Sequence, residues 1–297
     1  MKHMPLYLVL RGGLGNQLFM FASVYSEAKR TKRKLQLITN WYEEQKWDGI
    51  IKPNRRFFEL DEFPKIRFIN SILTAKISML LYLVFKFTWK FGEKMLFHVC
   101  ANLDTREKPI THYWPLLVHG YMQNQKNFEM NRSELIEIFS IDNELELTDA
   151  AYLESIKTKN KRLIALHIRR GDNAKKHGPE YRLSLNYYEE CLRKLDYKLN
   201  TVVVFSDEID WCKKRFYGRG FYFINEMSPV RSLLMLSKCD DYILSVSTFS
   251  WWGAWLSESI DKSVLVPKLP LLDSSWNNLS DKNWIQVEAD FDQSMQF

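Results

Sequence analysis

The chain has 297 residues, 46% of them hydrophobic and 26% charged, which excludes a disordered protein and leaves room for one large domain or two. A net charge of +6 and a pI near 8.9 point to an anionic partner, a condition that nucleic acid, a membrane face and a nucleotide-sugar all meet. Cys100, Cys191, Cys212 and Cys239 are widely spaced, with no CxxC pair and no histidine cluster at zinc spacing, so free thiols in a reducing cytosol and no metal site are expected.

The start of the chain runs straight into a strand over residues 6–10 and lacks the length and small-residue cleavage site of a signal peptide, so export is not expected. A glycine turn, a helix over 16–29 and a strand over 35–38 follow. The pattern then becomes irregular. Residues 66–99 are rich in large apolar side chains, but the core at 77–85 would rise only about 14 Å as a helix, half the hydrocarbon thickness of a bilayer. Lys65, Arg67, Lys76, Lys86, Lys90 and Lys94 oppose only Glu93 there, the pattern of a helix lying on anionic lipid. A buried helix with a solvated lysine edge fits the same residues.

From 161 onward strands and helices alternate. Strands are predicted over 162–168, 201–205, 220–224, 242–246 and 263–267, with helices over 185–195, 209–216, 230–239 and from Ser247 onward. This alternation means a parallel sheet covered on both faces. With residues 157–161 as the polar connection, the expected architecture is two α/β domains, 1–156 and 157–297, facing each other across a central cleft.

Three segments could carry chemistry. The turn Arg11-Gly12-Gly13-Leu14-Gly15-Asn16-Gln17 lets backbone approach a ligand. It fails the GxGxxG fingerprint at Leu18 and has no P-loop lysine, so NAD and ATP chemistry lose support. Asn16 is a ligand group or simply an N-cap. His167-Ile168-Arg169-Arg170-Gly171-Asp172 lies at a strand's carboxyl end, where open α/β sheets bind ligands. Alternation sends His167 and Arg169 to one face and Arg170 to the other, and an arginine suits a leaving phosphate. An Arg170–Asp172 ion pair is the competing reading. Ser206 and Asp207 end the next strand at the same edge, or cap the helix that follows. Ser247, Thr248 and Ser250 open an aromatic helix where free N–H groups and the dipole favour an anion; ordinary capping of a core helix by Trp251, Trp252 and Trp255 is the alternative. A phosphate-bearing substrate is the shared theme.

Together these segments resemble the α-1,2-fucosyltransferase family of inverting, GDP-fucose-dependent enzymes. Gly12-Gly-Leu-Gly-Asn-Gln-Leu-Phe19 is similar to its GGLGNQ-F signature and His167–Asp172 to its HxRRGD signature. Phe205-Ser-Asp207 with Trp211 and Lys213, and Ser247–Leu256, match in order and spacing. Gly120-Tyr121-Met122-Gln123 followed by Phe128 is similar to a further block.

The resemblance implies a GT-B-like pair of Rossmann-like domains, with the acceptor side in 1–156, the donor side in 157–297, and no cofactor or metal. It implies that Arg169 holds the β-phosphate as the fucose–oxygen bond breaks, and that Ser247, Thr248 and Phe249 with Ser206 and Asp207 line the donor site. Gly13, Gly15 and Asn16 sit against the donor; Asn16, Gln17, Tyr121 and Gln123 face the acceptor, a galactose-terminated glycan such as a surface-polysaccharide repeat unit. His167 and Asp172 are the candidate general bases. The chain departs from the family pattern at Ser232, where an acidic residue usually stands as a partner for guanine, at Val246 and at Met122. A cytoplasmic enzyme is expected, peripheral on the inner membrane face if residues 66–99 bind lipid. No nucleic-acid partner is expected.

Overall fold

The computed structural model describes residues 4–47, 55–66, 75–91, 100–104, 110–111, 114–141, 143–158, 161–171, 182–225, 227–269, 279 and 281–292. They form two compact units, residues 1–141 and 142–297.

The first unit holds strands β1 (Leu6–Val9), β2 (Leu35–Ile38), β3 (Cys100–Asn102) and β4 (Leu117–His119), paired in parallel in the order β2-β1-β4-β3. Its helices include α1 (Leu14–Arg30), α2 (Asn40–Trp47), α3 (Ala75–Phe91) and α4 (Arg132–Ile138). The strands are almost wholly apolar and buried, as parallel strands covered on both faces must be. Tyr82 and Phe85 of α3 close one side, packing on Val9, Ile38, Cys100 and Leu117.

The second unit holds helix α5 (Asn143–Ile156), strands β5 (Leu163–Ile168), β6 (Thr201–Ser206), β7 (Phe221–Phe223), β8 (Asp241–Ile243), β9 (Val264–Lys268) and β10 (Ile285–Glu288), and helices α6 (Leu185–Lys194), α7 (Ile209–Arg215), α8 (Pro229–Ser237) and α9 (Thr248–Leu256). Its parallel sheet runs β10-β9-β8-β5-β6-β7. Renumbered from β5, that is the 3-2-1-4-5-6 order of a doubly wound nucleotide-binding sheet, with the direction of winding reversing between β5 and β8.

Alternation along the strands builds two cores. Ile164, Leu166, Ile168, Val202 and Val204 face Tyr187, Tyr188 and Leu192 of α6 and Cys212 of α7. Leu163, Ala165, Val203 and Phe205 face Leu153 of α5, Leu236 of α8 and Ala254 of α9.

Two expectations differ from this arrangement. The carboxyl-terminal sheet has a sixth strand, β10, because Ile285–Glu288 is an edge with one buried residue, Val287, and so lacks the apolar run that marks the others. Helix α5, placed in the first domain from sequence, belongs to the second compact unit: Leu153 enters its core, and the buried Asp149 carboxylate accepts a two-pronged pair from Arg231 of α8 at 2.6–3.1 Å. The apolar stretch at 66–99 falls partly outside the described residues. Its described part, α3, is a single helix, and no described helix is long and apolar enough to cross a membrane.

Candidate active site

The strand order brings three chain segments to one edge of the second unit. The carboxyl ends of β8, β5 and β6 lie side by side, with Leu166 opposite Ile243 and Ile168 opposite Ser206. The winding reverses between β5 and β8, the place where such sheets hold ligands.

Arg169 leaves the end of β5 half-buried, and its Nε lies 3.2 Å from Asp207 Oδ2. Asp207 does more than pair. Its Oδ1 accepts the Arg170 N–H at 3.0 Å and its Oδ2 the Gly171 N–H at 2.9 Å, so one carboxylate fixes the turn and aims the arginine. A Cβ on residue 171 would stand 2.5 Å from that oxygen, which explains the glycine. Arg170 points to the opposite face, as alternation requires: it lies 3.8 Å over the Trp211 ring and binds Asp292 at 3.1 Å. Ser206 Oγ accepts the Glu208 N–H at 3.0 Å, a local turn contact that leaves the helix beginning at Ile209 without a side-chain cap.

On the β8 side of the reversal α9 begins. Ser247 is its N-cap residue but makes no side-chain cap, so the hydroxyl does not cover the first-turn N–H groups, which with the helix dipole favour an anion. Thr248 and Phe249 are half-buried beside it, whereas Ser250 is buried and donates to Ser247 O at 3.2 Å. His167 is 4% exposed; its Nδ1 and Ser245 Oγ share a hydrogen bond of 2.7 Å, and its ring lies 5.4 Å from that of Phe249. Burial, reinforced by the Arg169 charge and opposed by Asp207, pushes the imidazole down to about 3, so it is neutral at ordinary pH. Asp172, the other candidate base, lies outside the described residues.

A cavity of about 610 Å³ opens past β6 and β7. Phe205, Ile224, Met227 and Trp211 supply apolar wall, Asn225 and Ser232 neutral polar groups, and Glu208 and Asp210 carboxylates. Its size suits a nucleoside-sized ligand. Asn225, Ile224 and Met227 were not singled out from sequence; the end of a strand in a doubly wound sheet was the only signal available.

In the first unit the glycine turn and residues 120–123 follow the carboxyl ends of the paired strands β1 and β4. Gln123 Nε2 donates to Asn16 Oδ1 at 2.9 Å, and the Arg11 guanidinium lies 4.8 Å over the Tyr121 ring, itself 36% exposed. Asp104 accepts the Tyr121 and Met122 N–H groups at 2.8 and 2.6 Å, holding this turn as Asp207 holds the other. Gln17 is fully buried. It donates to Gly12 O at 3.1 Å and Phe57 O at 2.7 Å and accepts the Glu59 N–H at 3.0 Å, so it braces the glycine turn from inside and shows no surface to an acceptor. Gly13 is the N-cap residue of α1, and Gly15 is buried in its first turn.

The second unit is thus a doubly wound α/β sheet with Arg169 and the start of α9 at the ends of the strands where its winding reverses. The chain belongs to glycosyl transferase family 11, whose sequence pattern matches residues 64–288. It is therefore a glycosyltransferase. The O-antigen biosynthesis glycosyltransferase WbnK of Escherichia coli is 26% identical over 95% of this chain and 100% of its own. An alpha-1,2-colitosyltransferase of the same organism is 28% identical over 94% and 97%. A galactoside alpha-(1,2)-fucosyltransferase 2 of Sus scrofa is 23% identical over 58% of this chain and 55% of its own.

Proposed function

We propose that this glycosyltransferase transfers L-fucose from GDP-β-L-fucose to the 2-hydroxyl of a terminal galactose, inverting the anomeric centre to an α linkage. The observation that carries the donor side is the adjacency of β5 and β8, whose carboxyl ends lead to Arg169, aimed by Asp207, and to the start of α9. The diphosphate would lie there and the guanosine in the cavity past β6 and β7. As the bond from sugar to β-phosphate breaks, negative charge grows on the leaving oxygen; a fixed guanidinium and aligned N–H groups stabilise that charge more than the ground state.

His167 is a positioning residue in this reading. An imidazole whose conjugate acid has a pKa near 3 is too weak a base to draw a proton from a hydroxyl, and its place is to hold Ser245 and Phe249 at the strand ends. The acceptor oxygen can lose its proton late, after the sugar has taken on oxocarbenium character. In the first unit the exposed ring of Tyr121, backed by Arg11, offers an apolar face for a sugar ring, and the Asn16–Gln123 pair offers polar groups for hydroxyls. A galactose-terminated polysaccharide repeat unit, reached on the cytoplasmic side, is the acceptor we infer.

A second reading, supported by the colitosyltransferase relative, is transfer of colitose, the 3-deoxy analogue of L-fucose. Purified protein incubated in EDTA with GDP-fucose or GDP-colitose, with and without β-galactosides, decides between them by released GDP. Acceptor-dependent GDP release from GDP-fucose and a 1,2-linkage in the product are expected. Faster release from GDP-colitose would assign the other sugar, and no turnover with either would overturn both.

A further inference from the structure

Helix α3 has two apolar faces, and only one is used. Ser78, Tyr82, Phe85 and Thr88 follow the inner line of the helix: Tyr82 donates to Glu44 Oε2 and Ser78 to Asn40 Oδ1, each at 2.5 Å, while Phe85 enters the core beneath the sheet of the first unit. On the opposite line, at i, i+1, i+4 and i+8, stand Met79, Leu80, Leu83 and Phe87, exposed by 48, 62, 55 and 51%. An outward face of this kind on a helix already anchored from within is a docking surface.

Its charges say what it meets. The helix carries no acidic residue; Lys76 stands exposed one turn before Leu80 on the same line, and Lys86 lies at the flank, paired with Glu44. From 65 to 94 the sequence has six basic residues, of which Lys65 is paired with Glu137, against one acidic. Lys76 stands exposed beside this apolar face, the disposition that suits a lipid headgroup above acyl chains. The helix has 17 residues and does not qualify to cross a bilayer, so it would lie in the interface plane.

We propose that the outer face of α3 docks this enzyme on an anionic lipid surface. The proposal is independent of which sugar is transferred. It would place the glycosyltransferase beside acceptors carried at a membrane.

The test is co-sedimentation of the full chain with vesicles of phosphatidylglycerol and phosphatidylcholine, and with phosphatidylcholine alone, at low and high salt. Binding to the anionic vesicles that weakens with salt is expected. Leu80→Glu with Leu83→Glu, both at exposed positions, should lower it at least about tenfold. Melting temperature and GDP release with a soluble acceptor should stay as in the parent. Protein that remains in the supernatant with anionic vesicles at low salt overturns the proposal. So does sedimentation that the double variant leaves unchanged. A dimer seen by analytical ultracentrifugation and abolished by the same substitutions, without vesicle binding, would assign the face to a second copy of the chain.

Discussion

Arg169 and His167 stand two residues apart on one strand end and are put to opposite uses. In the proposed mechanism Arg169 offers charge to the donor diphosphate, and its removal should cost transfer without cost to the fold: Arg169→Ala is expected to lower kcat by at least about a hundredfold with an unchanged melting temperature. Lysine at 169 keeps the charge but loses the planar fork that Asp207 holds, so only partial recovery is expected. His167 and His119 are instead held neutral by burial, at about 3 and about 4, with Arg169 and Arg11 adding to the effect. Both folded values lie below that of free imidazole, so as pH falls the unfolded chain binds protons first. Stability contributed by these two groups is present above about pH 6.5 and is lost progressively as pH falls toward 3–4. Melting curves from pH 7 to 4 should show the loss, and His167→Asn should reduce it. At Ser232 the cavity offers a neutral hydroxyl, so GDP and IDP, which differ by one exocyclic amine, should bind within about tenfold of each other. Calorimetric titration of Ser232→Asp should show a clear preference for GDP, because a hydrogen bond to a charged group is stronger.

Helix packing in the second unit rests on close approach and on one buried ion pair. A Cβ on residue 253 of α9 would fall 2.1 Å from Leu236 Cδ2 of α8, so Gly253→Ala must displace the buried Leu236 side chain and is expected to destabilise by about 1–3 kcal/mol in denaturant titration. Asp149 of α5 is buried and its partner Arg231 is 34% exposed at the side chain. Arg231→Ala strands that carboxylate; the loss should fall at or below the lower end of the about 3–5 kcal/mol typical of fully buried pairs, because Arg231 already shares its charge with water. Of these, α8 and α9 were legible as helices from their apolar spacing, whereas α5 fell in a stretch with no predicted element. Their partners were not, since α5 looked like the end of the first domain until Asp149 and Leu153 found α8 and the core.

For the molecule as a whole, hydrogen exchange with and without GDP locates the donor. Protection is expected at 167–171, 205–211 and 245–250, segments separate in sequence that the parallel order of β8, β5 and β6 makes neighbours. Protection confined to the first unit would remove the diphosphate from the second.

The sequence by itself determined the α/β class, the placement of most strands and helices, and the segments that end at the carboxyl edges of the sheets, because hydrophobic period, glycine turns and hydroxyls before an apolar helix are local signals. It also carried the family. Only the tertiary structure decided the strand order that reverses the winding between β5 and β8, the edge strand β10, and the division of labour among polar groups. Gln17 and Asp207 sit in the same kinds of motif as Asn16 and Arg169, yet Gln17 turns inward to Gly12, Phe57 and Glu59, and Asp207 spends both oxygens on the Arg170 and Gly171 N–H groups. Which way a side chain is turned depends on partners up to 42 residues away in the chain, and those contacts exist only once the sheet has assembled.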